Sequence, residues 1–333
     1  MKNVNVGIIG FGRIGKIHFD HLTKIPGTKV TKVADPYFDD EAFAAQFETD
    51  FIKDGAEIIA DESIDAVYIC CPTDQHIYWI KEAAQAGKHI FCEKPISDSD
   101  EETLAAFDIV KESGVKFQLG VNRRFDRNFS GIREYIEEGR IGQPQLLAIN
   151  SYDPEAPPLS YVEVSGGLFF DMMIHDFDMA RYIMGSEVTE VFAVGEALIN
   201  EDIKQYGDVD TAIVTLKFAN GAIGTITNSR QAVYGYDQRL EVLGSEGGVE
   251  AKNELNNQII VSDREGSHHS NPQHFFLERY AAAYAEEDRE FIEAIQNDTD
   301  TPVAFEDGIM AQRLAFAAQE SYQTGKPVQV QLM

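Results

Sequence analysis

The feature that most constrains the fold is a glycine-rich turn that directly follows an apolar, strand-like run near the start of the sequence. Gly10, Gly12 and Gly15 have the G-x-G-x-x-G spacing, follow the run VNVGII and open a segment of helical periodicity. In a strand–turn–helix unit, such glycines permit a tight turn, the approach of a pyrophosphate and close helix packing. The spacing alone is a weak signal, so this context carries the prediction of a dinucleotide site. The residues assigned to it here are Gly10, Phe11, Gly12, Arg13, Ile14 and Gly15.

The first third of the sequence alternates short β-branched runs with segments of helical periodicity. This alternation is typical of a parallel sheet covered by helices. We therefore predict a Rossmann-type, doubly wound domain over residues 1–120. The predicted strands are VNVGIIG, KVTKVAD, AVYICCP, KHIFCEK and KFQLGVN, and the predicted helices cover 14–23, 41–47, 74–86 and 98–113.

Beyond about Gly120 the pattern changes to longer strand-like runs that follow one another without helices. Turn signals such as Asn220-Gly221 separate these runs, which favours antiparallel pairing. We predict an α+β domain over 121–333 with a large, mainly antiparallel open sheet. One face of such a sheet is expected to remain uncovered by its own helices, which predicts a symmetric oligomer. Further helices are predicted at 128–138, 167–184, 275–295 and 307–325.

The charge balance restricts the partners that the protein can bind. The sequence has 56 acidic and 28 basic residues, a formal net charge of −28. Such a surface repels nucleic acid and anionic membranes. Solubility and adaptation to high salt are both consistent with the acid excess. No apolar run approaches the ~20 residues that span a bilayer, and no export signal is recognised, so neither a membrane anchor nor secretion is expected.

The cysteine and histidine patterns indicate neither disulfides nor a metal site. Cys70, Cys71 and Cys92 are odd in number and show no ligand spacing with histidines, which favours a reducing cytoplasm. The histidine-rich segment 267–274 lacks carboxylates at helical spacing. We expect it to be an exposed loop without a metal.

Asp35 ends the second predicted strand, 20 residues after Gly15. A carboxylate at this position can accept hydrogen bonds from the adenosine ribose hydroxyls, and residues 36–40 provide no cation for a 2′-phosphate. The expected cofactor is therefore NAD. Thr73 and His76 follow the third predicted strand at the ligand side of the sheet. Thr73 is expected to cap the next helix, and His76 is either a cofactor contact or a turn residue without a ligand role.

Three separated motifs together resemble the Gfo/Idh/MocA family of NAD(P)-dependent sugar oxidoreductases. They are the glycine turn, Glu93-Lys94-Pro95 after a predicted strand, and Asp171-x-x-x-His175. The runs VNRRFD at 121–126 and SGGLFFDMMIHDFDM at 165–179 are similar to the inositol-oxidising members, and the resemblance extends over essentially the whole chain. It implies NAD-dependent oxidation of myo-inositol to the corresponding inosose, a homotetramer, a cis bond before Pro95, and cofactor contacts from Glu93 and Lys94.

The residue chemistry fits oxidation of a secondary alcohol. Asp171 and His175 are four residues apart and would share one face of a helix. His175 is the expected base for the hydroxyl proton, and Asp171 either orients it or accepts a bond from a neighbouring ring hydroxyl. Lys94, at the end of a strand, is expected to stabilise the developing oxyanion.

A polyol also requires several donors and acceptors around its ring hydroxyls. The same chemistry on scyllo-inositol or on C1 of an aldopyranose remains an alternative. A catalytically silent NAD sensor is a second alternative, against which the presence of Lys94, Asp171 and His175 argues. The substrate-binding candidates are Lys94, Arg123, Arg124, Asn150, Asp153, Asp171, His175, Tyr236 and Tyr280.

Overall fold

The structure, a computed structural model, describes residues 3–333. Its strands are β1 Val4–Ile9, β2 Thr28–Ala34, β3 Asp50–Ile52, β4 Ala66–Ile69, β5 His89–Glu93, β6 Phe117–Gly120, β7 Pro144–Tyr152, β8 Val188–Glu196, β9 Thr211–Phe218, β10 Ile223–Ser229, β11 Asp237–Gly244, β12 Gly248–Ala251, β13 Ile260–Asp263, β14 Gly266–His269 and β15 Val328–Gln329. Its helices are α1 Arg13–Leu22, α2 Glu41–Ala44, α3 Ala56–Ile59, α4 His76–Gln85, α5 Asp100–Ser113, α6 Arg127–Glu137, α7 Leu159–Ser165, α8 Leu168–Asp171, α9 Met173–Met184, α10 Phe276–Arg279, α11 Ala281–Asn297 and α12 Phe305–Thr324.

The described chain divides into two compact units. The first contains the residues up to Asn122 together with Ala283–Ile309, and the second contains Arg123–Ala282 and Met310–Met333. The sequence placed a boundary at residue 120 and assigned everything beyond it to the second domain. The structure differs for residues 283–309, because α11 packs its apolar side chains Phe291, Ile292 and Ile295 into the core of the first unit.

The first unit is built on a parallel sheet with the strand order β3-β2-β1-β4-β5-β6. This is the order of a doubly wound nucleotide-binding fold, in which ligands lie at the carboxyl ends of the strands. The sequence predicted five of these strands and missed β3 at the edge. β4 is buried along its whole length, as expected for a central parallel strand covered on both faces.

The second unit contains a seven-stranded sheet with the order β12-β11-β7-β10-β9-β8-β15. β7 and β10 run parallel, and the other neighbouring pairs are antiparallel. The mainly antiparallel sheet predicted from the sequence is therefore confirmed. Buried and more exposed residues alternate along β9 and β11, so one face forms the core. The opposite face exposes the apolar side chains Leu146, Val194, Ile213, Ile223 and Leu243.

The histidine-rich segment is more ordered than the sequence indicated. β13 and β14 form an antiparallel hairpin that pairs Val261 with His268, and every residue of both strands is exposed. The expected exposed loop is thus an exposed hairpin. Within residues 3–333, no helix is both long enough and apolar enough to cross a membrane.

Candidate functional site

The glycine turn between β1 and α1 leaves space where a phosphate would bind. Gly10 has φ +94°, and a Cβ at this position would lie 2.5 Å from the Cys71 backbone nitrogen. A Cβ on Gly15 would lie 2.1 Å from the Gly10 carbonyl oxygen, whereas a Cβ on Gly12 would meet nothing within 4 Å. Gly10 and Gly15 are therefore required by packing. Gly12 borders open space at the amino end of α1, where backbone N–H groups and the helix dipole favour an anion.

Asp35 is held beside this turn by two backbone hydrogen bonds. Its carboxylate accepts from the Phe11 nitrogen at 2.7 Å and from the Tyr37 nitrogen at 2.8 Å. The Phe11 ring is buried against Phe19, Phe38 and other phenylalanines, so Phe11 contributes its N–H rather than its ring. These contacts fix a carboxylate at the end of β2, and the turn and carboxylate together fit the pyrophosphate and ribose of a dinucleotide.

Of the two remaining residues of the turn, Arg13 is exposed and Ile14 is half-buried. Both lie in the first turn of α1. Their backbone N–H groups belong to the amino end of that helix.

Thr73 does not make the expected helix cap, and His76 is buried among backbone carbonyl groups. Thr73 starts a 3₁₀ turn over Thr73–Gln75, and neither that turn nor α4 has a side-chain cap. The buried His76 ring lies 2.8 Å from the Pro95 carbonyl oxygen through Nδ1 and 2.9 Å from the Cys71 carbonyl oxygen through Nε2. Burial lowers the pKa of His76, which favours the neutral ring. His76 therefore lies between two backbone segments, and its neutral ring donates to one of the two carbonyl oxygens.

Glu93 and Lys94 lie at the carboxyl end of β5, and the Lys94–Pro95 peptide is cis. The Glu93 carboxylate is 2.9 Å from the His18 Nε2 atom. It also packs on Gly120, where an added Cβ would lie 3.0 Å from Glu93 Oε1. Both neighbours restrict the orientation of the carboxylate at the edge of the sheet where ligands of such folds bind.

Asp171 and His175 do not lie on one continuous helix, which corrects the prediction of a single helix over 167–184. Asp171 ends α8 and His175 lies in α9, with Met172 between them at φ −100° and ψ −55°. Gly167, at φ +85°, directly precedes α8 in a backbone conformation that favours glycine.

The Asp171 carboxylate is held by two side chains that the sequence did not identify. Tyr161 Oη donates to one oxygen at 2.8 Å, and Arg230 Nη1 donates to the other at 2.9 Å. Tyr161 lies in α7, and Arg230 follows β10. These contacts fix the orientation of the Asp171 carboxylate.

Asp153 completes this cluster of charged groups. Its Oδ2 atom is 3.6 Å from Arg230 Nη1. Burial, together with the nearby Asp171 carboxylate, raises the pKa of Asp153 to about 6 despite the attraction of Arg230. Within the part of the chain that the structure describes, the buried Arg230 Nε and Nη2 atoms have no hydrogen-bond partner. The cluster thus combines acceptors with available donors, which is the arrangement that a ligand with several hydroxyls requires.

Arg123, Tyr236 and Tyr280 are brought together in the same unit. The Arg123 guanidinium lies 5.8 Å from the Tyr280 ring centre, and the Tyr236 and Tyr280 rings are 6.0 Å apart. Arg123 is buried and pairs with Asp176 at 2.5 Å. Among residues 3–333, none hydrogen-bonds the buried Tyr280 hydroxyl. Arg123 therefore acts as a structural cation beneath the rings, and Tyr280 retains an available hydroxyl.

Arg124 and Asn150 lie in environments that do not support the predicted cage role. Arg124 makes a bidentate pair with Asp178 at 2.8 and 2.5 Å. Asn150 accepts a hydrogen bond from Thr227 Oγ1 at 2.7 Å. Because side chains alternate across a strand, Asn150 points to the opposite face of the sheet from the buried Ser151. The structure thus separates Asn150 from the side chains around Arg123.

The described residues contain no cluster of three or more histidine, cysteine, aspartate or glutamate side chains that could hold a metal ion. Cys70, Cys71 and Cys92 are free thiols.

The strand order, the glycine turn and the carboxylate at the end of β2 define the class of Rossmann-fold oxidoreductases that use a dinucleotide. Comparison with protein families is more specific. The model of the oxidoreductase family NAD-binding Rossmann fold, named for GFO, IDH and MocA, matches residues 4–121. The model of the C-terminal alpha/beta domain of the same family matches residues 133–330. The chain belongs to this Gfo/Idh/MocA oxidoreductase family, and its first unit is an NAD-binding domain.

Individual relatives match over nearly the full length. An uncharacterized oxidoreductase of Bacillus subtilis is 49% identical, with 99% of this chain and 97% of the relative covered. A myo-inositol 2-dehydrogenase of Thermotoga maritima is 44% identical over 98% of this chain and 99% of the relative. The crystal structure of scyllo-inositol dehydrogenase from Lactobacillus casei with bound NAD(H) and scyllo-inositol has a TM-score of 0.92 at 30% identity, covering 98% and 99% of the two chains.

Proposed function

We propose that the chain oxidises myo-inositol with NAD to 2-keto-myo-inositol, which is scyllo-inosose. The observation that carries the proposal is the cluster of Asp153, Arg230 and Asp171, where acceptors and donors alternate as the hydroxyls of a polyol require. The near full-length similarity to a myo-inositol 2-dehydrogenase supports the choice of substrate.

The proposed mechanism assigns one task to each of three side chains. His175 accepts the proton of the reacting secondary hydroxyl. Asp171, held by Tyr161 and Arg230, orients this base or a neighbouring ring hydroxyl. The Lys94 cation stabilises the alkoxide as it forms. NAD, when bound, supplies the acceptor for the hydride that leaves the carbinol carbon.

The other assigned positions have supporting roles in this proposal. Gly12, the amino end of α1 and Asp35 hold the pyrophosphate and the ribose. Asp153, Arg230 and the Tyr280 hydroxyl bind substrate hydroxyls away from the reacting carbon. The sequence assigned Asp153 and Tyr280 to this role, and Arg230 enters it from the structure.

The solved scyllo-inositol dehydrogenase supports a second candidate, in which scyllo-inositol is the preferred substrate of the same reaction. The experiment measures kcat/KM for myo-inositol, scyllo-inositol and glucose with NAD, and identifies each product. We expect the highest value with myo-inositol and scyllo-inosose as its product. A higher value with scyllo-inositol would select the second candidate, and the absence of NADH formation with every polyol would contradict both.

The catalytic assignment has its own test, the variant His175→Ala. Loss of a positioned base costs about 10²- to 10⁴-fold in turnover, while NAD binding is expected to remain at the wild-type level. His268→Ala, which removes a histidine from the exposed hairpin, is the matched control and should be fully active. More than about a tenth of wild-type turnover in His175→Ala would exclude the assignment.

We further propose that the enzyme is a cytoplasmic homotetramer. The exposed apolar side chains on one face of the second sheet support association, because such a face is rarely left in water. The free thiols support a reducing compartment. Sedimentation of the purified protein is expected to give about four times the chain mass of 37.2 kDa. A monomer would contradict the assembly, and Ile213→Asp should dissociate it.

A further inference from the structure

A buried histidine in α1 connects two carboxylates that come from distant parts of the first unit. His18 Nδ1 lies 2.7 Å from Asp288 Oδ1 in α11, and His18 Nε2 lies 2.9 Å from Glu93 Oε1 at the end of β5. The side chains of His18 and Asp288 are 0% exposed, and that of Glu93 is 13% exposed. The mechanism proposed above uses neither His18 nor Asp288.

The arrangement makes the His18 ring a cation. Both ring nitrogens face a carboxylate oxygen, so both donate a hydrogen bond, which requires the doubly protonated imidazolium. Burial disfavours this charge, but the Asp288 and Glu93 carboxylates together raise the pKa of His18 well above its ordinary value. At neutral pH the ring therefore pairs with both carboxylates at once.

The surroundings leave His18 little freedom to reorient. The rings of Tyr68, Phe91 and Tyr284 lie 5.4, 4.8 and 6.0 Å from its ring. The other titratable groups near the trio are His21, whose Nδ1 atom is 3.1 Å from Asp288 Oδ2, the Tyr68 hydroxyl, the buried Glu287 and the half-buried Cys70. Burial raises the pKa of Glu287 well above its usual range, so this side chain favours its neutral form.

The place of Glu93 in the sheet indicates which half of a dinucleotide would bind beside its carboxylate. Glu93 is the last residue of β5, in the second half of the sheet order. In this fold, each half of the sheet binds one mononucleotide half of the cofactor at the carboxyl ends of its strands. The glycine turn and Asp35 belong to the first half of the sheet and fit the adenosine half of the cofactor. The nicotinamide half is therefore expected at the carboxyl ends of β4, β5 and β6. His18 and Gly120 restrict the Glu93 carboxylate at this edge.

We propose that His18, anchored by Asp288, is a positioning residue that keeps the Glu93 carboxylate directed at the edge of the sheet where the nicotinamide ring binds. A fixed negative charge there stabilises the cationic ring of NAD⁺ relative to the neutral ring of NADH. The trio thus favours binding of the oxidised cofactor. The inference rests on the proposed function only in assigning Glu93 to the cofactor site.

Two neutral replacements of His18 separate its two contacts. In His18→Gln the amide nitrogen takes the place of Nε2 and can still donate to Glu93, whereas in His18→Asn it takes the place of Nδ1 and donates to Asp288 instead. Both variants lose the same charge and one hydrogen bond, so a merely structural role predicts similar behaviour. His21→Gln is the matched control, because His21 contacts Asp288 and does not contact Glu93 in the structure.

The measurement is the ratio of the dissociation constants for NAD⁺ and NADH, determined by fluorescence titration without any polyol. Measured against His18→Gln, which loses the same charge, His18→Asn is expected to weaken NAD⁺ relative to NADH by about three- to tenfold, the range for one partly screened charge interaction that is misdirected. His18→Gln should shift the ratio less, and His21→Gln should leave it unchanged. A wild-type ratio in His18→Asn would overturn the proposal.

A double-mutant cycle tests whether His18 acts through Glu93. Glu93→Gln removes the charge at nearly constant shape and should reproduce the shift of His18→Asn, while the double variant should show little further change. Additive shifts, or no shift in Glu93→Gln, would contradict the proposal. If His18→Asn does not fold, a wild-type ratio in Glu93→Gln still overturns the proposal. Because no polyol is present, failure to oxidise inositol would refute the proposed function without affecting this result.

Discussion

At the scale of single residues, the burial of the Asp153 side chain is expected to affect how the reaction depends on pH. Its pKa is raised to about 6, so the side chain loses its charge as the pH falls below that value. A protonated Asp153 is a weaker acceptor for a substrate hydroxyl. We therefore expect kcat/KM for the polyol to decrease below about pH 6, approaching tenfold per pH unit. In Asp153→Asn the acid limb should become shallower, because only the proposed base His175 then remains to be protonated, and kcat/KM at about pH 8 should be at least tenfold lower. An unchanged limb would assign it to another group.

The raised pKa of Asp153 also determines whether this side chain stabilises the folded state more at low pH or at high pH. Because the pKa of Asp153 is raised in the folded state, the folded chain binds more protons than the unfolded chain between about pH 4 and pH 6. The contribution of Asp153 to the free energy of unfolding is therefore most favourable in acid and decreases as the pH rises through about 6. Thermal unfolding of wild type and Asp153→Asn at both ends of this range measures the difference, and we expect the variant to lose less stability on raising the pH.

Asp35 is expected to determine the preference for NAD over NADP. Asp35→Ser removes the charge that repels a 2′-phosphate and also removes charge-assisted acceptors for the ribose hydroxyls, each contributing about 1.5–3 kcal/mol. The ratio of kcat/KM for NAD to that for NADP should therefore fall by at least tenfold. Full reversal is not expected, because residues 36–40 supply no cation. An unchanged ratio would show that Asp35 does not contact the ribose.

The sequence did not identify Arg230 as a site residue, because its position depends on the pairing of strands that are distant in sequence. Arg230 lies near Asp153 because β10 runs parallel to β7, which aligns Ser229 with Tyr152. This pairing connects strands that are not neighbours in sequence, so no local pattern predicts it. The face of β7 on which Asn150 lies depends in the same way on the sheet, which a single strand does not reveal.

At the scale of elements, the glycine turn supports a prediction that separates folding from cofactor binding. Gly15→Ala would place a methyl group 2.1 Å from a backbone oxygen, so we expect a loss of about 1–3 kcal/mol in the free energy of unfolding. Gly12→Ala meets open space and should retain wild-type stability, while NAD affinity falls by about tenfold or more because the methyl group occupies the path of the pyrophosphate.

The control for these variants is Gly131→Ala in α6, where an added Cβ also meets nothing within 4 Å. It should increase the free energy of unfolding by about 0.5–1 kcal/mol and leave NAD affinity unchanged. Chemical denaturation and NAD titration of the three variants provide both quantities. Wild-type NAD binding by Gly12→Ala would mean that the cofactor does not approach this turn.

Elements with a strong local signal could be predicted from the sequence, and those that depend on tertiary context could not. α5 has a Ser99 side-chain cap, acidic residues in its first turn and Gly114 at φ +69° after its end, and its predicted end at Ser113 is correct. β3 is a short edge strand whose pairing with β2 carries no local pattern. The break at Met172 lies inside a run of continuous helical periodicity, so the sequence predicted one helix.

At the scale of the whole molecule, the acid excess predicts a response to salt. Folding brings the like charges of a chain with net charge −28 closer together, and salt screens their repulsion. The Tm is therefore expected to rise between low salt and about 1 M potassium chloride. A flat or falling Tm would indicate that the acidic groups are ordinary surface residues that are already solvated.

The domain organisation contains one long-range feature that the sequence does not predict. The boundary near residue 120 follows from the change in pattern, but the return of residues 283–309 to the first unit does not. The apolar side of α11 is typical of any amphipathic helix. Only the packing of Phe291, Ile292 and Ile295 into the first core shows its location. That return also brings Asp288 to His18, which explains why the buried trio was not predicted.

The central claim is that the enzyme transfers a hydride from a ring carbon of myo-inositol to NAD. The most direct measurement uses myo-inositol deuterated at C2 with unlabelled NAD, followed by mass spectrometry of the reduced cofactor. We predict that the NADH formed carries one deuterium and that the other product is scyllo-inosose. Reduced cofactor without deuterium, or the absence of reduced cofactor, would contradict the claim.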